Sequence, residues 1–147
     1  MTNNSRHLTQ GDELTSTDLK ERWEETLTFY DQMIDGGHQL RPIRFLVRHI
    51  IDKGYDKCYF PGTSLFNLLV SIPIDNKVAY TKTLKVEVDQ LRNIVKFDYR
   101  DWTGLSRDNT ADFEKSLKWS DTCQLTESCD TFEYFISTIE EWKPKTK

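Results

Sequence analysis

The chain predicts an α+β fold, a two-layer sandwich of helices on an antiparallel sheet, and three observations carry the prediction. The first is alternation. Leu84, Val86 and Val88 face one way while Lys85, Glu87 and Asp89 face the other, and Val95, Phe97 and Tyr99 then stand opposite Lys96, Asp98 and Arg100. Period two puts one face on a core and the other in water, as an antiparallel sheet requires. The second is the nearly continuous apolar run SLFNLLVSIP before these strands. The third is helical spacing of apolar residues at both ends of the chain.

In chain order, residues 1–16 are polar, aromatic-free and without period, which predicts a mobile tail. A first helix is expected with Thr17 as N-cap, and Leu19, Trp23, Leu27, Tyr30, Met33 and Ile34 form its buried stripe. Its outer face is acidic (Glu21, Glu24, Glu25, Asp31, Asp35), and Gly36-Gly37 ends it. Pro42 suits the first turn of a second helix, whose apolar face is Ile43, Leu46, Val47, Ile50 and Ile51 and whose C-terminal cap is Gly54. So short a connection predicts an antiparallel helix hairpin. Pro61, Gly62 and Ser64 then signal a turn into the first strand of a three-stranded meander over residues 65–102. The polar segments 74–77 and 90–93 are its hairpin loops.

That first strand is apolar on both faces, which predicts a covered or central position. Residues 103–112 read as the longest irregular segment, with a short helical turn near 111–116. SLKWSDTCQ reads as a fourth strand with Leu117 and Trp119 inward. The last helix begins near Thr126 or Ser128, buries Cys129, Phe132, Phe135, Ile136 and Ile139, and ends before Pro144. The expected order is α-α-β-β-β-β-α on a sheet of three to four strands, one domain over 17–143 with a charged end at 144–147.

Composition narrows the function classes. The 147 residues carry 20 basic and 24 acidic groups, and the net charge of −4 is uneven. Residues 61–100 hold 6 basic and 4 acidic groups, residues 101–147 hold 6 and 10. No segment has the basic excess of a nucleic-acid footprint, and the acidic last third favours a basic partner. No apolar stretch nears membrane length and no leader pattern opens the sequence. The odd set Cys58, Cys123 and Cys129, without a C-x-x-C spacing, argues for a reducing compartment. A cytoplasmic protein without membrane or nucleic-acid partners is expected.

The search for catalytic chemistry finds no phosphate loop, dinucleotide fingerprint, nucleophile elbow or H-E-x-x-H. Of the three histidines, His7 falls in the tail, His38 in the turn between helices and His49 beside the second helix's apolar ridge. Geometry rather than spacing decides whether Cys58 meets His38 or His49, and the packing reading is the simpler one. Asp98, Asp101, Asp108 and Asp112 lack the glycine and terminal Glu of a calcium loop, so they read as turn and capping groups. No cofactor or metal is expected.

Two features have a binding reading. Arg41, Arg44 and Arg48 share one helix face, where they could hold an anion or simply pair with the acidic first helix. Arg100, Asp101 and Trp102, with Asp108 and Asp112 beyond them, bring hot-spot residue types to a strand end beside an irregular segment. These residues predict a non-enzymatic intracellular protein-binding module, of inhibitor or immunity type, that meets a basic partner through an acidic surface. The alternative is a domain or weak enzyme that holds a small anionic ligand between the sheet and the helix hairpin. Exposed edge strands leave a homodimer open.

Overall fold

A computed structural model describes residues 8–144. The described residues form α1 (Ser16–Asp35), α2 (Arg41–Asp52), β1 (Phe60–Ser64), β2 (Asn67–Ser71), β3 (Lys82–Asp89), β4 (Ile94–Asp101), α3 (Thr110–Ser116), β5 (Leu117–Gln124) and α4 (Ser128–Thr138). The strands make one antiparallel sheet in the order β1-β2-β3-β4-β5. The mixed helix and strand content and the meander are as expected, but the sheet has five strands rather than three or four.

The additional strand comes from the apolar run. SLFNLLVSIP is not one strand; it turns at Leu65-Phe66, and Ser64 pairs with Asn67 across a two-residue loop. Leu65 sits at a φ of +58°, a conformation that such loops normally give to glycine. Pro61 and Gly62, read from the sequence as a turn, lie inside β1. Their strand is at the sheet edge, where a residue without an N–H removes no ladder bond on its free side.

The N-terminal segment differs from a mobile tail over residues 8–14. Leu8 and Leu14 are buried with Leu19, Phe60 and Val78 in a second small core. Gly11 N–H donates to the Val78 carbonyl at 2.9 Å, and Val78 N–H donates to the Asp12 carbonyl at 2.8 Å. Residues 1–7, with His7, lie outside the described residues, as do residues 145–147. Helix α1 begins one residue before the expected cap. Thr15 is its N-cap in a reciprocal capping box with Asp18, each side chain accepting the other's N–H at 3.0 Å.

Alternation along β3 and β4 holds as read. Leu84, Val86, Val95, Phe97 and Tyr99 share one core with Trp23 and Tyr30 of α1, Ile43, Leu46 and Ile50 of α2, and Phe132 and Phe135 of α4. Trp142, in a 3-10 turn after α4, is fully buried. Its ring stacks on Tyr59 at 5.1 Å and meets Phe135 and Tyr99 edge-on at 4.9 and 5.4 Å. Leu117 is exposed instead of inward, because the β4–β5 register shifts between Tyr99 and Arg100. That bulge leaves Trp119 to carry the packing, against Phe97 and Phe135.

The other sheet face is uncovered at its centre. Gly62, Leu69, Lys85, Asp98 and Ser120 form one cross-strand row on it. Thr83 and Arg100 form part of the next.

Candidate functional site

The groove on this second face is built by strand alternation. Position 85 must point away from Leu84 and Val86, and position 98 away from Phe97 and Tyr99, so the core-forming pattern places their charges here. The strands contribute Leu69, Thr83, Lys85, Asp98 and Arg100. The connector after β2 contributes Tyr80, the segment after β4 contributes Trp102 and Arg107, α3 contributes Phe113, and α1 contributes Arg22. Together they enclose about 780 Å³.

Electrostatically the groove is the inverse of the chain. Its lining holds Arg22, Lys85, Arg100 and Arg107 against the single carboxylate of Asp98. Arg22 lies 3.6 Å from Glu25, and Lys85 lies 4.0 Å from Glu87. Arg100 and Arg107 form no ion pair with any described residue. The Arg100 guanidinium lies over the Phe113 ring at 3.7 Å, donating to the Phe113 carbonyl at 2.5 Å and to Ser116 Oγ at 3.0 Å. Arg107 lies over Trp102 at 4.8 Å and donates to the Tyr80 carbonyl at 2.8 Å. Aromatic faces and neutral acceptors therefore hold both forks in place without cancelling their charge.

The residues singled out in the sequence part company here. Arg100 and Trp102 enter the groove, whereas Asp101, one step along β4, points to the other side. Its carboxylate receives Lys82 Nζ at 3.1 Å and the Thr103 hydroxyl and N–H at 2.7 and 3.0 Å. Lys82 also reaches Glu141 at 2.7 Å. Burial opposes the charge on Asp101, but the bonds from Thr103 and Lys82 outweigh it and hold its pKa below the usual carboxylate value. Burial also pulls Lys82 downward, and its bonds to Glu141 and Asp101 outweigh that and raise it. Asp112 accepts the Ser106 N–H at 2.9 Å and so shapes the loop. Asp108 is exposed.

The helix-two stripe is not one site. Arg44 pairs with Asp31 of α1, and Arg48 lies 3.4 Å from Asp52 of its own helix. Arg41 makes no ion pair with any described residue. It lines a separate cavity of about 460 Å³ between the helix hairpin and one end of the sheet.

Among the described residues no hydrogen bond joins a histidine to a cysteine. His49 Nε2 meets Glu133 at 2.6 Å, and the Tyr55 hydroxyl donates to the same carboxylate at 3.0 Å. Burial, then the Glu133 bond, pushes Tyr55 up to about 12. His38 lies against the Phe66 ring at 4.4 Å. Burial raises the thiol pKa of Cys123 and Cys129, the opposite of what a thiolate nucleophile requires. Among the described residues no group of three or more His, Cys, Asp or Glu is placed to hold a metal ion. No described helix is long and apolar enough to cross a membrane.

The groove members missed as site residues in the sequence are Arg22, Leu69, Tyr80, Thr83, Lys85, Asp98, Arg107 and Phe113. Lys85 and Asp98 could have been paired from the hairpin register, since both were legible as wet-face residues. Tyr80 and Arg22 carry no local signal, because only the sheet brings them to Trp102. No protein-family model, curated protein or solved structure matches this chain.

Proposed function

We propose that the protein is a non-enzymatic binding module that receives an acidic segment of a partner protein in the groove on the uncovered sheet face. In this reading the chain is a two-layer sandwich whose helix layer supplies the core and whose free sheet face supplies the working surface. The observation that carries it is the pair Arg100 and Arg107, each fixed on an aromatic ring and neither in an ion pair with any described residue. Preorganised guanidinium forks bind carboxylates bidentately and lose little side-chain entropy when they do. The sign of the partner is thus opposite to the one expected from the acidic last third, because Asp101 and Asp112 are spent on internal bonds. A protein partner is favoured over nucleic acid because the ring faces of Trp102 and Phe113 that would stack bases are shared with the arginines.

The test is binding of a glutamate-rich peptide, a lysine-rich peptide and single-stranded RNA at low and high salt. The glutamate peptide is expected to bind, with affinity falling as salt rises, and Arg100→Glu/Arg107→Glu is expected to abolish the interaction. Preference for the lysine peptide or RNA, or unchanged binding by the double variant, would overturn the proposal.

A further inference from the structure

The cavity at the opposite end of the sheet has a different chemistry. It lies where the α1–α2 turn, the β3–β4 loop and the β5–α4 connection converge. Its apolar wall is Ile34, Pro42, Phe45, Val88 and Leu125, and Phe45 is 56% exposed. The basic side chains that line it are Arg41 and His38, and no Asp or Glu among the described residues does. Glu127, beside the lining residue Thr126, is turned to the Gln124 N–H at 3.1 Å.

The backbone reinforces that sign. Arg41 and Pro42 open α2, and Leu125 and Thr126 lie just before Glu127, the N-cap of α4, so two helix starts border the same space. Ser128 Oγ donates to the Pro42 carbonyl at 2.9 Å and ties the two starts together. Neither helix has a side-chain cap bond at its N-cap; α4 carries Asp130 in its first turn, whereas α2 has no acidic residue there and offers its positive end to a negative charge near the cavity. The volume of about 460 Å³ suits a small molecule rather than a folded partner.

We infer that this cavity is a binding site for an apolar monocarboxylic acid, with the carboxylate at Arg41 and the hydrocarbon body against Phe45, Val88 and Leu125. The inference is independent of the groove. Arg44 and Arg48, paired elsewhere, take no part.

The experiment uses the full chain with decanoate as the probe, read by calorimetry and by displacement of anilinonaphthalene sulfonate, with decanol and acetate alongside. Decanoate is expected to bind, and decanol and acetate each to bind at least about tenfold more weakly, since one lacks the charge and the other the apolar body. Arg41→Ala, an exposed substitution, is expected to weaken decanoate about tenfold or more while leaving thermal unfolding unchanged, and Arg41→Lys to recover part of the loss. Arg100→Ala/Arg107→Ala is expected to have no effect. Equal binding of decanol and decanoate, full affinity in a natively melting Arg41→Ala, loss of binding in the groove variant, or no decanoate binding at all would each overturn the inference.

Discussion

Arg100 and Asp101 are consecutive residues on β4, and they show how differently the two faces of the sheet treat charge. On the helix-covered side, Asp101 is held by Lys82 and Thr103 and contributes to the link between β3, β4 and the C-terminal turn. On the other side, Arg100 rests on Phe113 and gives its protons to neutral oxygens. A charge that is matched inside the fold serves stability, while one that is positioned but unmatched is available to something outside it. The same contrast separates Arg44, paired with Asp31, from Arg41, which lines a cavity.

If the covered face carries the stability, Phe135→Ala should produce the largest loss, about 3–5 kcal/mol by urea denaturation. Its ring meets Tyr99, Trp119 and Trp142, and no neighbour can move in to fill the space without disturbing the others. A loss below about 1 kcal/mol would break the comparison at its stronger end.

Asp101→Asn should cost about 1–3 kcal/mol at neutral pH, as a charge-assisted bond on the covered side is lost. The sign with pH is fixed by linkage. Asp101 has a lowered folded pKa, so its contribution is present above the ordinary carboxylate value of about 3.9 and disappears as pH falls through the folded value. Lys82 has a raised one, so its contribution is present at and below the ordinary lysine value of about 10.4 and disappears as pH rises through the folded value. Urea midpoints of wild type and Asp101→Asn should therefore differ by a constant amount from about pH 5 to 9 and converge below about pH 4. A gap that persists in acid would mean that Asp101 acts by packing alone.

Much of the covered face was legible in the sequence, and for a physical reason. Burial on one side imposes period two on β3 and β4 and helical spacing on α1, α2 and α4, and both are local signals. The β1–β2 hairpin was hidden because its turn uses Leu65-Phe66, with no glycine or asparagine to mark it. The burial of Leu8 and Leu14 depends on Val78 and Phe60, far away in sequence, and leaves no period to read. Trp142 lies beyond the end of α4, outside its stripe. The groove was legible only in part. Arg100 and Trp102 stood out by residue type, but that neither Arg100 nor Arg107 has an ion pair among the described residues is a three-dimensional fact.

Smaller effects sharpen the contrast. Leu65→Gly should gain about 0.5–1 kcal/mol, because the strain of a left-handed Leu slightly exceeds the entropy cost of Gly and the 86%-exposed side chain packs little. Thermal unfolding of the variant checks this, and a loss would show that Leu65 has a contact role. Arg48→Ala should change stability by less than about 0.5 kcal/mol, since its partner Asp52 is an exposed neighbour on the same helix.

The division between the two faces is tested most directly by an amide NMR titration of the whole chain with a glutamate decapeptide at low salt. The predicted result is a set of shifts confined to Lys85, Asp98, Arg100, Trp102, Arg107, Phe113 and their immediate neighbours, absent in Arg100→Glu/Arg107→Glu. Shifts centred on the helices or on Arg41, shifts that survive the double reversal, or a wild type that does not respond would contradict it.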